Sequence, residues 1–270
     1  MFTTHFFTIH NLKIHSLKQY SPKITLQLLV LSTLLISLSG CMGESLCNEY
    51  SVLPTQDQNN DDVIDYSVHV IGDSILAYHQ ISCKSVGHRL GLNINDKVLI
   101  KPVTGAKMRE IRQQYIPPKP NTDYELVIID GGVNDLIADE NPGTPEETAC
   151  NCNGLLNHNA CLQEIDEITQ QMDNIIDEVQ VTSSATVALL TYYPPEDDQS
   201  FIGACFPYVS QLNERYRQLA NLDSRVEVID TYGAGLPIIQ KTSPLGEDNY
   251  HPTYNGSEQL ASLIQQQLGL

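Results

Sequence analysis

Positive charge is scarce in this chain: its 270 residues hold 15 lysines and arginines against 33 aspartates and glutamates, a net charge of −18. The shortage is uneven. The first 40 residues carry no acidic side chain and three lysines, Lys13, Lys18 and Lys23. From Cys41 onward, 12 basic residues face all 33 acidic ones, so the net charge is near −21. A surface of that sign repels phosphate backbones, and no basic patch offsets it, which excludes nucleic acid as a partner. Long-range steering of a polyanionic substrate is disfavoured for the same reason. No internal repeat is present, which excludes a solenoid or array. The roughly 205 residues after residue 66 suit one domain that buries about 70% of its unfolded surface.

Basic residues then precede the one long apolar run, Ile24 to Gly40, which closes on Leu38-Ser39-Gly40-Cys41. A basic segment, an apolar segment and a small-residue processing site form an export signal. The run is marginal in length for a membrane span, so processing is the preferred reading. The tetrapeptide resembles the bacterial lipoprotein box, which implies a signal peptide over 1–40 and an acylated Cys41 tethered to membrane. A plain secretion signal or an uncut anchor is the alternative. Met42, not Asp, follows the cysteine, and this favours the outer membrane of the cell envelope. Residues 41–66 are polar and lack apolar periodicity, as in the Gln-Asp-Gln-Asn-Asn-Asp-Asp stretch. They read as a flexible tether ahead of a domain over 67–270.

Six cysteines remain beyond Cys41: 47, 83, 150, 152, 161 and 205. An exported chain permits disulfides, and six cysteines allow fifteen full pairings. Cys150, Cys152 and Cys161 crowd an insert over 138–161, where disulfides stapling a long loop are the preferred reading. His158 lies among them, so zinc is the alternative. Which of Cys150 and Cys152 pairs with Cys161 is open. Cys83 and Cys205 are either a pair or two small buried residues.

Within 67–270, short apolar runs alternate with helical patterns. Strands are expected at 68–71, 97–100, 126–129, 187–190 and 226–229. Helices are expected at 75–90, stopping at Gly91, and near 107–115, ended by Pro117 and Pro118. A loop over 138–160 follows the third strand. Three further helices are striped by Leu162 to Val179, Val209 to Leu219 and Leu260 to Leu268. Nearly continuous apolar strands between amphipathic helices imply an α/β fold with a mainly parallel five-stranded sheet covered on both sides. Ser74, Gly105 and Asn134 each follow the carboxyl end of a different strand, the edge at which open α/β sheets bind ligands.

The chemistry of these residues fits acyl transfer. Ser74, in Gly72-Asp73-Ser74, lies between a strand and a helix, where it gains exposure and the help of helix-terminal N–H groups. A hydroxyl is a weak nucleophile without a base; alternatively, Ser74 only caps the helix. His251 is the candidate base, held out of the last helix by Pro252. Asp248, three residues earlier, can reach one imidazole nitrogen and leave the other for Ser74. A surface loop in which Asp248 caps a turn is the bland alternative. His69 in a strand, His79 and His88 in a helix, and His158 in the cysteine loop are weaker bases. The Asn134 amide and the backbone N–H of side-chain-free Gly105 can join the Ser74 N–H around one oxygen. Asp73 and Asp135 read as braces for their loops. Tyr192 and Tyr193, after the fourth strand, are placed to stack on a sugar or to line a lipid site.

The blocks Val70-Ile71-Gly72-Asp73-Ser74, Gly105, Gly132-Val133-Asn134-Asp135 and Asp248-Asn249-Tyr250-His251-Pro252 occur in that order, and together they resemble the SGNH/GDSL hydrolase superfamily. The resemblance covers about 68–268. It implies a flavodoxin-like, three-layer α/β/α sandwich. It also implies Ser74, Asp248 and His251 as catalytic triad, with the Ser74 N–H, Gly105 and Asn134 as oxyanion hole. The Gly-x-Ser-x-Gly elbow of ordinary α/β-hydrolases is absent. The second block lacks an Asn before Gly105, and the cysteine-bearing insert is longer than the family needs. The implied activity is hydrolysis of a carboxylic ester on a carbohydrate or lipid, with no metal or cofactor required. An O-acyltransferase acting on envelope glycan and a non-catalytic glycan-binding lipoprotein are the alternatives.

Overall fold

The computed structural model describes residues 66–137, 150–152, 158–195, 202–232 and 250–270. All lie in one compact unit, Leu46–Leu270. The expected signal at 1–40, Cys41, most of the expected tether, most of the expected insert and Asp248 lie outside the described residues.

Five strands form the sheet: β1 (Val68–Ile71), β2 (Val98–Ile100), β3 (Leu126–Ile129), β4 (Thr186–Leu190) and β5 (Val226–Ile229). They are all parallel, in the order β2-β1-β3-β4-β5. Register is set by pairs such as Val70 with Ile100 on one side and Ile128 on the other. The helices are α1 (Ser74–Ala77), α2 (Val86–Ile94), α3 (Met108–Gln114), α4 (Val133–Leu136), α5 (His158–Thr182), α6 (Phe206–Leu222) and α7 (Tyr254–Leu268). Helices α2 and α7 pack together on one face, and α3, α5 and α6 on the other. This is the expected α/β/α sandwich. Covering both faces explains why β1 and β3 are buried at every position, while edge strand β5 exposes Glu227.

The strand order reverses direction at β1. The chain steps from β1 out to β2, then returns past β1 to β3. The loops after β1 and β3 therefore diverge at their carboxyl ends and leave a crevice between them.

The helix expected over 75–90 is broken. Helix α1 stops at Ala77, a 3-10 turn covers Gln80–Ser82, and α2 starts only at Val86. His79 and Cys83 adopt left-handed φ values of 66° and 56°, which no helix accommodates. Ile81 within this break is fully exposed, so its apolar side chain had mimicked a buried stripe. Gly91 does not end α2 but lies buried within it; left-handed Asn95 closes it, donating its N–H to the Gly91 carbonyl. The loop expected over 138–160 is also shorter at its far end, because α5 begins at His158.

Two disulfides secure the insert. Cys150 bonds Cys161, and Cys152 bonds Cys205 just before α6. Cys205 is thus not paired with Cys83, which is itself disulfide-bonded. The four thiols are consumed, so Cys150, Cys152 and Cys161 are not available to a metal. His158 instead shares a 2.9 Å hydrogen bond with the Tyr208 hydroxyl.

The Cys152–Cys205 bond spans 53 residues and Cys150–Cys161 only 11. Loop-closure entropy makes the longer bridge worth roughly 1 kcal/mol more. Urea unfolding of the paired Cys→Ala variants under oxidising conditions should rank Cys152→Ala/Cys205→Ala as the less stable. The reverse ranking would contradict this assignment of their weight.

Candidate active site

Gly72 leaves β1 with φ +149°, and an added Cβ would lie 1.6 Å from Asp130 Oδ1, so only glycine fits. Its backbone is clamped. The Gly72 N–H donates to Gln114 Oε1 at 2.7 Å, and Gln114 Nε2 donates to the Gly72 carbonyl at 2.9 Å. The Val103 N–H, from the loop after β2, donates to the same carbonyl at 3.0 Å. Asp73 then caps α1, its Oδ1 accepting the Ile75 N–H at 3.0 Å. The cap is therefore Asp73, and Ser74 is the first helical residue. Ser74 is not exposed as expected: only 4% of it is accessible.

Across 177 residues of sequence, His251 Nε2 stands 2.8 Å from Ser74 Oγ. The histidine is held from several sides. The Tyr78 ring stacks on the imidazole, with centroids 4.5 Å apart and planes 8° from parallel. Before it, the Tyr250 carbonyl accepts from the Tyr193 hydroxyl at 2.9 Å. After it, the Pro252 carbonyl lies 2.9 Å from His79 Nε2, and Thr253 caps α7 by accepting the Gly256 N–H at 3.0 Å. His79 is thus outside any helix and beside the candidate base, a placement its left-handed turn creates. Burial is the main cause holding its pKa below the ordinary histidine value.

Two further histidines are buried in the domain. His69 is fully buried beside the Tyr115 and Tyr124 rings, and burial pulls its pKa down to about 3. His88 shares a 2.7 Å hydrogen bond with Ser85 Oγ, and burial lowers its pKa to about 4.

Asn134, in α4, projects its Nδ2 toward two oxygens, the Ala106 carbonyl at 3.1 Å and Asp73 Oδ2 at 3.4 Å. It thereby links the loops after β1, β2 and β3. Gly105 is exposed, with φ +78° and open space where a side chain would stand. Among the described residues, neither the Ser74 nor the Gly105 N–H meets an acceptor. Gly105, Val103, Thr104 and Gln113 help line an open cavity of about 440 Å³. Another cavity, near 360 Å³, includes Ser67, Leu126 and Thr186 at the amino ends of the strands, away from Ser74.

Tyr192 and Tyr193 do not offer ring faces to a ligand. They are 1% and 3% exposed, and both hydroxyls are engaged within the protein. Tyr192 donates to Asp73 Oδ2 at 2.6 Å, and Tyr193 to the Tyr250 carbonyl. Their place after β4 points them inward beneath the crevice. Residues not singled out from the sequence carry much of the support: Asp130, Gln114 and Tyr78. Asp130 alone had a legible signal, a carboxylate directly after a buried strand and ahead of two glycines. Among the described residues, no group of three or more His, Cys, Asp or Glu side chains could hold a metal.

A family model described as the GDSL-like Lipase/Acylhydrolase family matches residues 70–259. No curated protein matches the sequence. Among solved structures, the lipase/acylhydrolase from Enterococcus faecalis superposes with a TM-score of 0.54 at 17% identity, over 75% of this chain and 95% of its own. The acetyl xylan esterase AlAXEase gives 0.53 at 16% identity, over 74% and 98%. A member of the lipolytic protein G-D-S-L family from Veillonella parvula gives 0.50 at 14% identity, over 74% and 96%. At these identities the likeness is one of fold.

Asp135 supplies a test of the site's electrostatics. It accepts the Met108 N–H at 3.1 Å, and burial, aided by the neighbouring Glu164 charge, raises its pKa to about 7. Glu164 itself is raised to about 7, again chiefly by burial. A raised value means that the folded state favours the protonated carboxyl. That stability is complete below about pH 4 and is lost as pH rises through about 7. Asp135→Asn cannot ionise, so its stability relative to the native protein should improve between pH 5 and pH 8, by on the order of 2–4 kcal/mol. Urea unfolding at both pH values measures this, and a gap that does not change with pH would contradict it.

Proposed function

The chain belongs to the GDSL-like lipase/acylhydrolase family as a serine-type carboxylic ester hydrolase, and on that premise we propose that Ser74 is the nucleophile and His251 its general base. The observation that carries this assignment is the 2.8 Å approach of His251 Nε2 to Ser74 Oγ. As Oγ attacks the ester carbonyl, Nε2 takes its proton; the imidazolium then returns that proton to the departing alcohol. Water, activated by the same nitrogen, releases the acid from the acyl-enzyme. Asp248 is assigned to the other imidazole nitrogen, from its place three residues before His251.

The developing oxyanion is assigned to the Ser74 and Gly105 N–H groups and the Asn134 amide. Asn134 Nδ2 lies 3.1 Å from the Ala106 carbonyl and 3.4 Å from Asp73 Oδ2, and rotation of the whole amide that gives up the Ala106 bond and keeps the Asp73 contact turns an N–H toward the oxyanion. Asp73 and Asp135 are assigned bracing roles, on the bonds they accept from Ile75, Tyr192 and Met108.

The substrate proposed is an acetyl or other short acyl ester of a carbohydrate. Supporting this are the near-complete burial of Ser74 and the polar side chains of Thr104, Glu110, Gln113 and Gln114 on the lining of the cavity beside Gly105. Acetyl xylan esterase activity in a protein of like fold makes acetylated glycan the first substrate to test. Cys41 is proposed to carry lipid and hold the enzyme in the cell envelope, on the strength of Leu38-Ser39-Gly40-Cys41 after the apolar run.

Ser74→Ala should lower hydrolysis of p-nitrophenyl acetate by roughly 10⁴-fold or more without unfolding the protein. Asn134→Ala should lower kcat by about 10²–10³-fold. Native kcat/KM should fall as the acyl chain lengthens. Unchanged turnover in Ser74→Ala would remove Ser74 from the reaction, and a preference for long chains would overturn the substrate assignment. Metabolic labelling with palmitate should mark the native chain and not Cys41→Ser; equal labelling would refute the anchor.

A further inference from the structure

Next to Ser74, two acidic residues lie in the protein interior. Asp130, the first residue after β3, is fully buried, and so is Asp73. Their donors are unequally shared. Asp73 accepts from the Ile75 N–H at 3.0 Å, the Tyr192 hydroxyl at 2.6 Å and Asn134 Nδ2 at 3.4 Å. Asp130 Oδ1 accepts the Asp73 N–H at 2.7 Å, whereas its buried Oδ2 meets no donor. That 2.7 Å bond pins the Asp130 carboxyl against the Asp73 backbone, so the two acidic residues are immediate neighbours. Two adjacent anions in such a place are far costlier than one anion and one acid.

We propose that Asp130 is a positioning residue that holds a proton on Oδ2, donates it to the Asp73 carboxylate, and so locks the turn that carries Ser74. Oδ2, an orphan as an acceptor, is satisfied as a donor. The proton belongs on Asp130 because Asp73 has three other donors that stabilise its charge. Burial and the Asp73 charge both push the Asp130 pKa well up, outweighing the pull of the Asp73 and Leu76 amides. The acid's two oxygens then do different work. Oδ1 takes the Asp73 N–H, while Oδ2–H fixes the carboxylate that caps α1 and receives Tyr192 and Asn134. One neutral acid thereby ties together the loops after β1, β3 and β4. Gly72 belongs to the same device, since any side chain there would displace Asp130 Oδ1.

The inference rests on Ser74 being the nucleophile for its catalytic consequence, but the proton itself is observable without turnover. The measurement is an infrared difference spectrum between unlabelled protein and protein carrying 13C at the aspartate carboxyl, taken at about pH 8.5, which is above the Asp135 value of about 7 and so leaves Asp135 ionised. A protonated-aspartate C=O band should remain, persist in Ser74→Ala, and vanish in Asp130→Asn. Asp130→Asn, whose amide keeps one acceptor and one donor, should hold kcat within about tenfold of native. Asp130→Leu should lose roughly 10²-fold or more in kcat with little change in KM, because the nucleophile is misplaced. Absence of the band in the native protein would overturn the proposal, as would a loss in Asp130→Asn equal to that in Asp130→Leu. If Ser74→Ala stayed active while the band was present, the nucleophile assignment would fall and the buried proton would stand.

Discussion

The site is organised around the close approach of Asp130 to the backbone at Gly72. A carboxyl from the end of β3 occupies the space of a missing side chain at the end of β1. That approach decides the turn. Gly72 must be glycine, the Asp73 N–H must face β3, and the Asp73 side chain must swing forward to cap α1. Ser74 then starts a helix rather than capping one. Gln114 holds the other side of the same turn by bonding both the N–H and the carbonyl of Gly72.

Topology supplies the remaining partners. The β2-β1-β3 order sets the loop after β1 between those that carry Gly105 and Asn134. Asn134 spans all three by reaching Ala106 and Asp73. His251 arrives from the far end of the chain, just ahead of α7, whose packing against α2 fixes that end of the domain. The segment between α1 and α2 then touches the histidine directly through Tyr78 and indirectly through His79 and Pro252. The broken helix is thus useful: a continuous one over 75–90 would not present this left-handed corner to His251.

The sheet was legible because parallel strands buried on both faces are near-continuous apolar runs, and Val68–Ile71 and Leu126–Ile129 are such runs. The helix break was not, since Ile81 kept the apolar period and no glycine or proline marks His79 or Cys83 as left-handed. Ser74, Gly105 and Asn134 were legible as residues at strand ends, and His251 as one held out of α7 by Pro252. Tyr192 and Tyr193 were misread because an aromatic after a strand can point outward to ligand or inward to the core, and sequence does not distinguish these. Cysteine spacing indicated disulfides within the insert, but the partner of Cys152 lay 53 residues away. Asp130 stood in plain view, yet its meaning depends on β1 and β3 being neighbours.

The central claim is that Ser74 and His251 act as one nucleophilic pair. Mass-spectrometric mapping of protein treated with a fluorophosphonate tests it most directly, because the phosphonyl group reacts with an activated serine and not with an ordinary one. A single stoichiometric adduct is expected on Ser74, with its near-complete loss in folded His251→Ala. An adduct on a different serine, or undiminished labelling of Ser74 without His251, would contradict it.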